Sequence, residues 1–533
     1  MIEAQKRCVT DQGQRAVANI HIHLGKQEVS LSTHVEPGGA GGKADVEAIA
    51  ALLPGPVERI ETHAAVILLT PDRAFKLKKP VAFSFLDFTG LEARRAALEA
   101  ELRLNRRTTP ELYERLVPVV ATAAGLALDG PGEPVEWLLQ MRRFPEVCRL
   151  DHVSDRGELD MPLVAALARA IAGFHERLEP LFEAGGAAAM REVTEGNAED
   201  LRRSVPDIFA AGAVEDLVAR TASELDRRAA LLDARRAAGL VRHCHGDLHL
   251  ANIVLLDGRP RLFDCLEFND AFAQIDLLYD LAFLVMDLLD RDRRAAAQGL
   301  LQVYNERRHD DAGMALLPLF LSIRAAVRAK VEAFAGHGAP ALAYLDLARR
   351  ALVPVAPRLI AIGGRSGTGK SSVARAVAPE IGAMPGAFVL RSDVIRKGLF
   401  GVEPEARLPA EAYTEEVSRR VFERLATRAE VLLRAGRTVI ADGVFGEDWQ
   451  RRRIARAAEA SGAPFAGFWL AADQALLEAR VRARKDDASD ADVGIVRAQA
   501  ALDARHVEWP RIDAAPGIGT VVEAVLEALR GGG

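Results

Sequence analysis

Two stretches of this chain place small, charged and hydroxyl residues at spacings suited to phosphate chemistry. The first is Gly364-Arg365-Ser366-Gly367-Thr368-Gly369-Lys370-Ser371. Gly364, Gly367 and Gly369 let the backbone curl until successive N–H groups face an anion, and the helix N-terminus that follows adds partial positive charge. Lys370 is placed to reach β- and γ-phosphates, and the Ser371 hydroxyl to ligate Mg²⁺. This is the Walker A pattern. The second stretch is His245-Gly246-Asp247-Leu248-His249-Leu250-Ala251-Asn252, followed by Phe263-Asp264-Cys265-Leu266-Glu267. Asp264 sits among apolar neighbours, and a carboxylate buried there needs a cation. Asp247 with His245 and His249 also suits a metal hydrolase. The Asn252 and Asp264 spacing favours phosphoryl transfer.

Further candidates follow the Walker A loop. Asp393 comes just after an apolar strand, where a carboxylate can accept the proton of an attacking hydroxyl. It also suits a helix N-cap. Arg396, one turn on, can hold an anionic or polar group. Asp442 ends the next apolar strand, the place of a carboxylate that orients Mg²⁺. Arg480 and Arg484 are four apart on an expected helix and share a face. Such a pair can close over a nucleotide, or can be two solvated arginines.

These residues need elements to position them. Upstream of the His-Gly-Asp segment, strands are expected at 64–69, 74–78 and 137–141, with helices over 91–107, 161–178, 198–232 and 276–289. Strands first and helices afterwards describe an α+β unit with a small N-terminal lobe and a larger helical one. From about 356 the pattern changes. Strands at 359–362, 387–390, 438–441 and 466–470 alternate with helices, which predicts an α/β unit with a parallel sheet and helices on both faces. The expected boundaries are a disordered tail over 1–45, a first domain over 46–355 and a second over 356–533.

Composition narrows the class. The 533 residues are 49% hydrophobic and 27% charged, with net charge −6, so the chain reads as a soluble globular protein with no general pull toward nucleic acid. No apolar run is long enough to cross a membrane. Four cysteines without paired spacing argue against a disulfide framework, and a reducing cytoplasm is expected.

The Walker A set, with Asp393, Asp442, Arg480 and Arg484, resembles the small P-loop kinases: gluconate kinase, adenylylsulfate kinase, chloramphenicol phosphotransferase and the kinase modules of polynucleotide repair. The His-Gly-Asp and Phe-Asp segments resemble the aminoglycoside phosphotransferases and other kinase-like small-molecule kinases. That second resemblance implies Asp247 as catalytic base or orienting group, and Asn252 and Asp264 as metal ligands. It also implies a strand lysine at the phosphates, paired with a helix glutamate. Lys76 and Lys78 share a strand face. Lys76 is preferred, with Glu101 as partner and Glu99 as the other option. Gln140-Met141-Arg142 resembles the linker whose backbone meets adenine, which makes Met141 a nucleotide-binding candidate. One departure is visible: Glu61-Thr62-His63-Ala64-Ala65 holds no glycine where relatives cover the phosphates with a glycine-rich loop. Thr62 and His63 are candidate donors in its place.

The chain as a whole resembles a bacterial family of such fusions. The resemblance implies two sites that use ATP and Mg²⁺ to phosphorylate a small hydroxyl-bearing acceptor, with no membrane partner and nucleic acid disfavoured. Two alternatives stay open. One is a P-loop kinase regulated by a non-catalytic kinase-like domain; the other is a nucleic-acid 5′-hydroxyl kinase.

Overall fold

A computed structural model describes residues 45–62, 64–83, 86–404, 406–483, 489–499 and 507–531. His63, Arg484 and the expected tail (apart from Asp45) lie outside the described residues. By its contacts the chain divides into two units. One runs up to Arg291 and resumes over Leu319–Leu352; the other takes Asp292–Pro318 and continues from Val353. The segment Asp292–Pro318 thus packs with the second unit, although the boundary read from sequence leaves it in the first.

In the first unit, strands β1 (Glu58–Glu61), β2 (Ala65–Leu69) and β3 (Arg73–Lys78) precede helix α1 (Leu91–Asn105). Strands β4 (Tyr113–Thr122), β5 (Gly125–Leu128) and β6 (Pro134–Arg142) complete an antiparallel sheet ordered β1-β2-β3-β6-β4-β5. Alternation along β3 sorts its side chains. Phe75 and Leu77 enter a core with Val66, Leu68, Val117 and Leu138, each worth about 1.5–3 kcal/mol of burial. Lys76 and Lys78 therefore point to the opposite face, toward α1.

The larger lobe contains α2 (Met161–Arg177), α3 (Gly186–Arg203), α4 (Ala211–Ala237), β7 (Val241–His243), β8 (Ile253–Leu256), β9 (Arg259–Leu262), β10 (Gln274–Asp276) and α5 (Leu277–Asp290). The single helix expected over 198–232 is in fact two. Pro206 has no backbone N–H to continue the ladder, and the chain breaks between Arg203 and Ala211. After α5 comes α6 (Arg294–Arg308), which belongs to the second unit. The first unit is completed within α7 (Leu317–Phe334) and by α8 (Gly338–Ala351). Cys244 and Cys265 are free and buried.

The second unit alternates as expected. Strand β11 (Leu359–Gly364) leads into α9 (Lys370–Val377). Strand β12 (Phe388–Arg391) leads into α10 (Ser392–Leu399) and α11 (Glu415–Arg434). Then follow β13 (Val439–Asp442), α12 (Asp448–Glu459), β14 (Phe465–Ala471), α13 (Gln474–Ala483), α14 (Val493–Gln499), β15 (Arg511–Asp513) and α15 (Ile518–Gly531). The five strands are parallel throughout, in the order β12-β13-β11-β14-β15. One sheet face packs Ile360, Ile362, Val389 and Phe468 against Val373 and Val377 of α9 and Val521 and Val525 of α15. Strands β12 and β13 also meet α11, and β14 meets α12. No described helix is long and apolar enough to cross a membrane.

Candidate active sites

In the first unit the strand lysines and the helix acid form one buried group. Lys76 Nζ donates to Glu101 Oε1 at 2.7 Å, and Lys78 Nζ donates to Glu101 Oε2 at 2.8 Å. Each lysine also reaches the Phe263–Glu267 segment: Lys76 meets Asp264 at 3.0 Å, and Lys78 meets Glu267 at 2.5 Å. Glu101 is 0% exposed. Burial would raise its carboxyl, but Lys76 and Lys78 hold it below the usual range. Burial would likewise lower Lys76, and Asp264 and Glu101 hold it well above the ordinary lysine value. Glu99 is not part of the group; it pairs with Arg95 on the helix surface at 2.9 Å. Lys78, which shares the strand face of the preferred Lys76, is thus a full member of the group, and so is Glu267, the last residue of the Phe263–Glu267 segment.

Asp264 follows β9 in a left-handed backbone conformation, φ 61°, an uncommon state tolerated best by Asn and Asp and found often at functional sites. Two backbone N–H bonds add to the hold of the lysines on this segment, and a third braces one of their acceptors. The Asp264 N–H donates to the Tyr113 hydroxyl at 3.1 Å and the Cys265 N–H to Asn105 Oδ1 at 2.8 Å. The Asn105 amide in turn donates to Glu101 O at 2.8 Å.

The catalytic-loop candidates also converge. Asn252 Nδ2 donates to Asp247 Oδ2 at 2.9 Å, and His249 Nε2 lies 3.3 Å from the same oxygen. The Asp247 side chain is 40% exposed. Burial would raise its carboxyl, but His249, with His245 and Arg328, holds it below the usual range. His245 meets the Phe263 carbonyl at 2.9 Å and so ties the two segments together. Below the loop, Asp280 of α5 accepts from Gly246 N at 2.8 Å, His245 N at 3.3 Å and His175 Nε2 at 3.1 Å. One helical stretch on, Asp287 accepts from Leu250 N at 2.8 Å. These two supports also went unread. Their signal is a pair of acids seven apart inside a mainly apolar helix.

Met141 lies within β6, paired with Ala74 of β3 and Tyr113 of β4. It therefore lies one residue from the strand's end, inside the strand expected over 137–141. The glycine-free loop is closed by Thr62, whose hydroxyl accepts from Ala65 N at 3.0 Å. Lys79 points elsewhere, to Glu61 at 2.7 Å.

In the second unit the glycine loop lies between β11 and α9. Gly364, Gly367 and Gly369 have φ of 139°, 88° and 86°, which L side chains rarely adopt. A Cβ at Gly364 would also stand 2.5 Å from the Leu470 carbonyl. Lys370 Nζ donates to Arg365 O at 3.0 Å. Ser371 Oγ donates to Asp442 Oδ2 at 2.5 Å, and Arg391 Nε lies 3.5 Å from that carboxylate. A cavity of about 710 Å³ opens over the loop and is lined by Lys370, Ser371, Asp393, Arg396, Asp442 and Arg480, among others. Burial, and after it the Asp442 charge, push the Asp393 carboxyl above its ordinary value, against Arg391 and Lys370. Arg396 lies over Tyr413, 4.9 Å from the ring centre. Arg480 reaches this cavity while donating to Ala514 O at 2.8 Å.

The sequence comparisons agree with this division of labour. Residues 65–317 match the model of the Phosphotransferase enzyme family, and residues 359–505 match that of an AAA domain. Two proteins carry both parts: Uncharacterized protein Rv2004c of Mycobacterium tuberculosis and Uncharacterized protein Mb2027c of Mycobacterium bovis. Each is 32% identical over 472 residues, spanning 85% of this chain and 92% of its own length. The chain belongs to their family. Members of this family join a phosphotransferase domain to a P-loop kinase-like domain, and the chain is an enzyme of the kinase class. Solved structures align with the parts. A choline/ethanolamine kinase family protein from Mesorhizobium loti is 16% identical and covers 57% of this chain and 98% of its own, with a TM-score of 0.36. A gluconokinase from Sinorhizobium meliloti is 21% identical and covers 33% and 93%, with a TM-score of 0.23.

Proposed function

We propose that the protein is a bifunctional kinase. At two separate sites it would transfer the γ-phosphoryl group of ATP to hydroxyls of small molecules. The observation that carries this reading is that each unit assembles its own set. In the first, Lys76 joins Glu101 to Asp264, and Asn252, bonded to Asp247, accepts at its backbone carbonyl from Phe263 N, next to Asp264. The second brings Lys370, Ser371, Asp442 and Asp393 around one cavity.

In the first site Lys76 would bind the nucleotide phosphates and the backbone near Met141 would meet adenine. Asp247 would orient the acceptor hydroxyl and take its proton, held ionised by His249. In the second site the loop N–H groups and Lys370 would cradle the phosphates, with Asp393 as base. Arg480 and Arg484 would close over the nucleotide. Asp393 fits the role of base because its environment favours proton uptake.

The donor sets also fit Mg²⁺. It prefers oxygen ligands, and the Asn252 amide nitrogen is spent on Asp247, which leaves its carbonyl oxygen for a cation. Asn252 and Asp264 would hold the ion in the first site, Ser371 and Asp442 in the second. When bound, Mg²⁺ neutralises charge on the β- and γ-phosphates. A cytoplasmic setting, where ATP is supplied, completes the proposal.

The glycine-free loop at Thr62 favours a second reading, in which the first unit binds nucleotide without turnover and regulates the P-loop kinase. Labelled ATP with a panel of small hydroxyl metabolites and 5′-hydroxyl oligonucleotides separates the readings. The full chain, Asp247→Asn and Lys370→Ala are compared. Products that disappear separately in the two variants support two kinase sites. Products lost only in Lys370→Ala support the regulatory reading, and phosphorylated oligonucleotides alone would overturn the small-molecule assignment.

A further inference from the structure

We propose that Gln302 is a positioning residue for the P-loop kinase site, acting through a ladder of side chains that α6 lays along the sheet edge. The proposal rests on the kinase reading of the second unit.

Strand β12 is an edge strand, with β13 on its inner side. Phe388 N donates inward to Thr438 O at 2.9 Å, so the polar groups of Ala387 and Val389 alternate outward. An uncovered edge would leave such groups unpaired. Here α6 takes the place of a further strand. Arg294 Nε donates to Pro385 O at 3.1 Å and Gln298 Nε2 to Ala387 O at 2.8 Å. Gln302 Nε2 donates to Val389 O at 2.7 Å, while Val389 N donates back to Gln302 Oε1 at 2.9 Å.

The match has a geometric cause. Four residues of helix advance about 6 Å, and two residues of strand advance about 6.6 Å. Side chains at i, i+4 and i+8 of a helix can therefore meet j, j+2 and j+4 of a strand. Gln302 imitates a peptide group at this edge, donor and acceptor both engaged. The segment is locked further on, where Arg428 grips Asp311 through two bonds of 2.7 and 2.8 Å.

The ladder leads toward the chemistry. Gln302 Nε2 also meets Glu306 Oε1 at 2.8 Å; burial pushes the Glu306 carboxyl up, against the pull of Gln302 and Arg391. Arg391 lies beside Asp442, which accepts from Ser371. Asp393 follows Arg391 by two residues, at the start of α10. The rung at Val389 thus sets the last turn of backbone before the base. None of these helix residues lies in the matched AAA domain; they fall within the stretch matched to the Phosphotransferase enzyme family.

In the full chain, Gln302→Met removes both bonds to Val389 and the one to Glu306 at similar length, and Gln298→Met removes one rung farther from Asp393. Two measurements are made. One is hydrolysis of MgATP with water as acceptor, taken as the part abolished by Lys370→Ala. The other is amide hydrogen exchange over residues 385–393. Gln302→Met should speed exchange and lower kcat of the Lys370-dependent part about ten-fold, since misplacement by an ångström costs up to about 10²-fold. KM for ATP should stay within about two-fold. Gln298→Met should speed exchange while lowering kcat less than about three-fold. Equal kcat losses in both variants, tracking their melting temperatures, would overturn the proposal in favour of a structural cap. Unchanged exchange in Gln302→Met would overturn the ladder itself. No Lys370-dependent hydrolysis in the parent chain would instead remove the kinase reading, and this proposal with it.

Discussion

Lys78 Nζ stands 2.5 Å from Glu267 and 2.8 Å from Glu101, so one strand lysine bridges the helix acid and the segment that carries Asp264. Lys76, two residues earlier, makes the parallel bridge from Glu101 to Asp264. Five ionisable side chains are thereby tied into one group, three negative and two positive. Truncating one member leaves its partners as uncompensated buried charge.

Glu101→Ala should therefore destabilise the protein by about 3–5 kcal/mol, the usual cost of breaking a buried pair. Denaturant unfolding of the full chain checks this. Glu99→Ala, which removes only the surface pair with Arg95, should cost less than about 1 kcal/mol.

Asp264→Asn keeps the shape of the segment but removes the charge expected to hold Mg²⁺. In a Lys370→Ala background, which silences the other site, calorimetry should show that Mg²⁺ no longer strengthens ATP binding. Binding without Mg²⁺ should change less. An unaltered Mg²⁺ effect would take Asp264 out of the ligand set.

The two aspartates proposed as bases should set opposite acid limbs. Asp393 lies above the ordinary aspartate value of 3.8 and stays protonated to higher pH. A base works only when ionised, so turnover at the P-loop site should fade with a midpoint above that value. Asp247 lies below it, and turnover at the first site should persist to lower pH. Separate pH–rate profiles in Asp247→Asn and Asp393→Asn chains test this. The same sign governs stability. A carboxyl raised on folding costs stability once ionised, so Asp393→Asn should raise the melting temperature at pH 7. The gain should shrink as pH falls toward 3.8.

Asp280→Asn tests the support beneath the His245–Asn252 loop. The carboxylate accepts from His245 N, Gly246 N and His175, and an amide offers only one acceptor oxygen. Turnover at the first site should fall by roughly ten-fold or more through loop displacement. KM for ATP should move little, because Lys76 and Glu101 are untouched. An equal loss in both parameters would assign Asp280 to general folding.

Much of both units was legible because its signals are local. The strands at 65–69 and 359–364, and the glycine turn into α9, appear within a residue or two of their expected places. Alternation on β3 was enough to put Lys76 and Lys78 on one face. What misled was also local. Pro206 splits a helix that periodicity had run through.

By itself the sequence determined two different folds, each carrying residues suited to a phosphate-handling site. Glycine conformational freedom, lysine charge and carboxylate spacing are properties of residues close together in the chain. Only the tertiary structure decided which groups far apart in sequence share a charge or a hydrogen bond. Glu101 and Glu267 meet at Lys78, and Asp280 reaches the backbone of His245 and Gly246. Gln302, from the far side of the apparent boundary, meets Val389. The physical reason is that a buried polar group must find a partner, and no periodicity or composition records which distant group folding will bring to it.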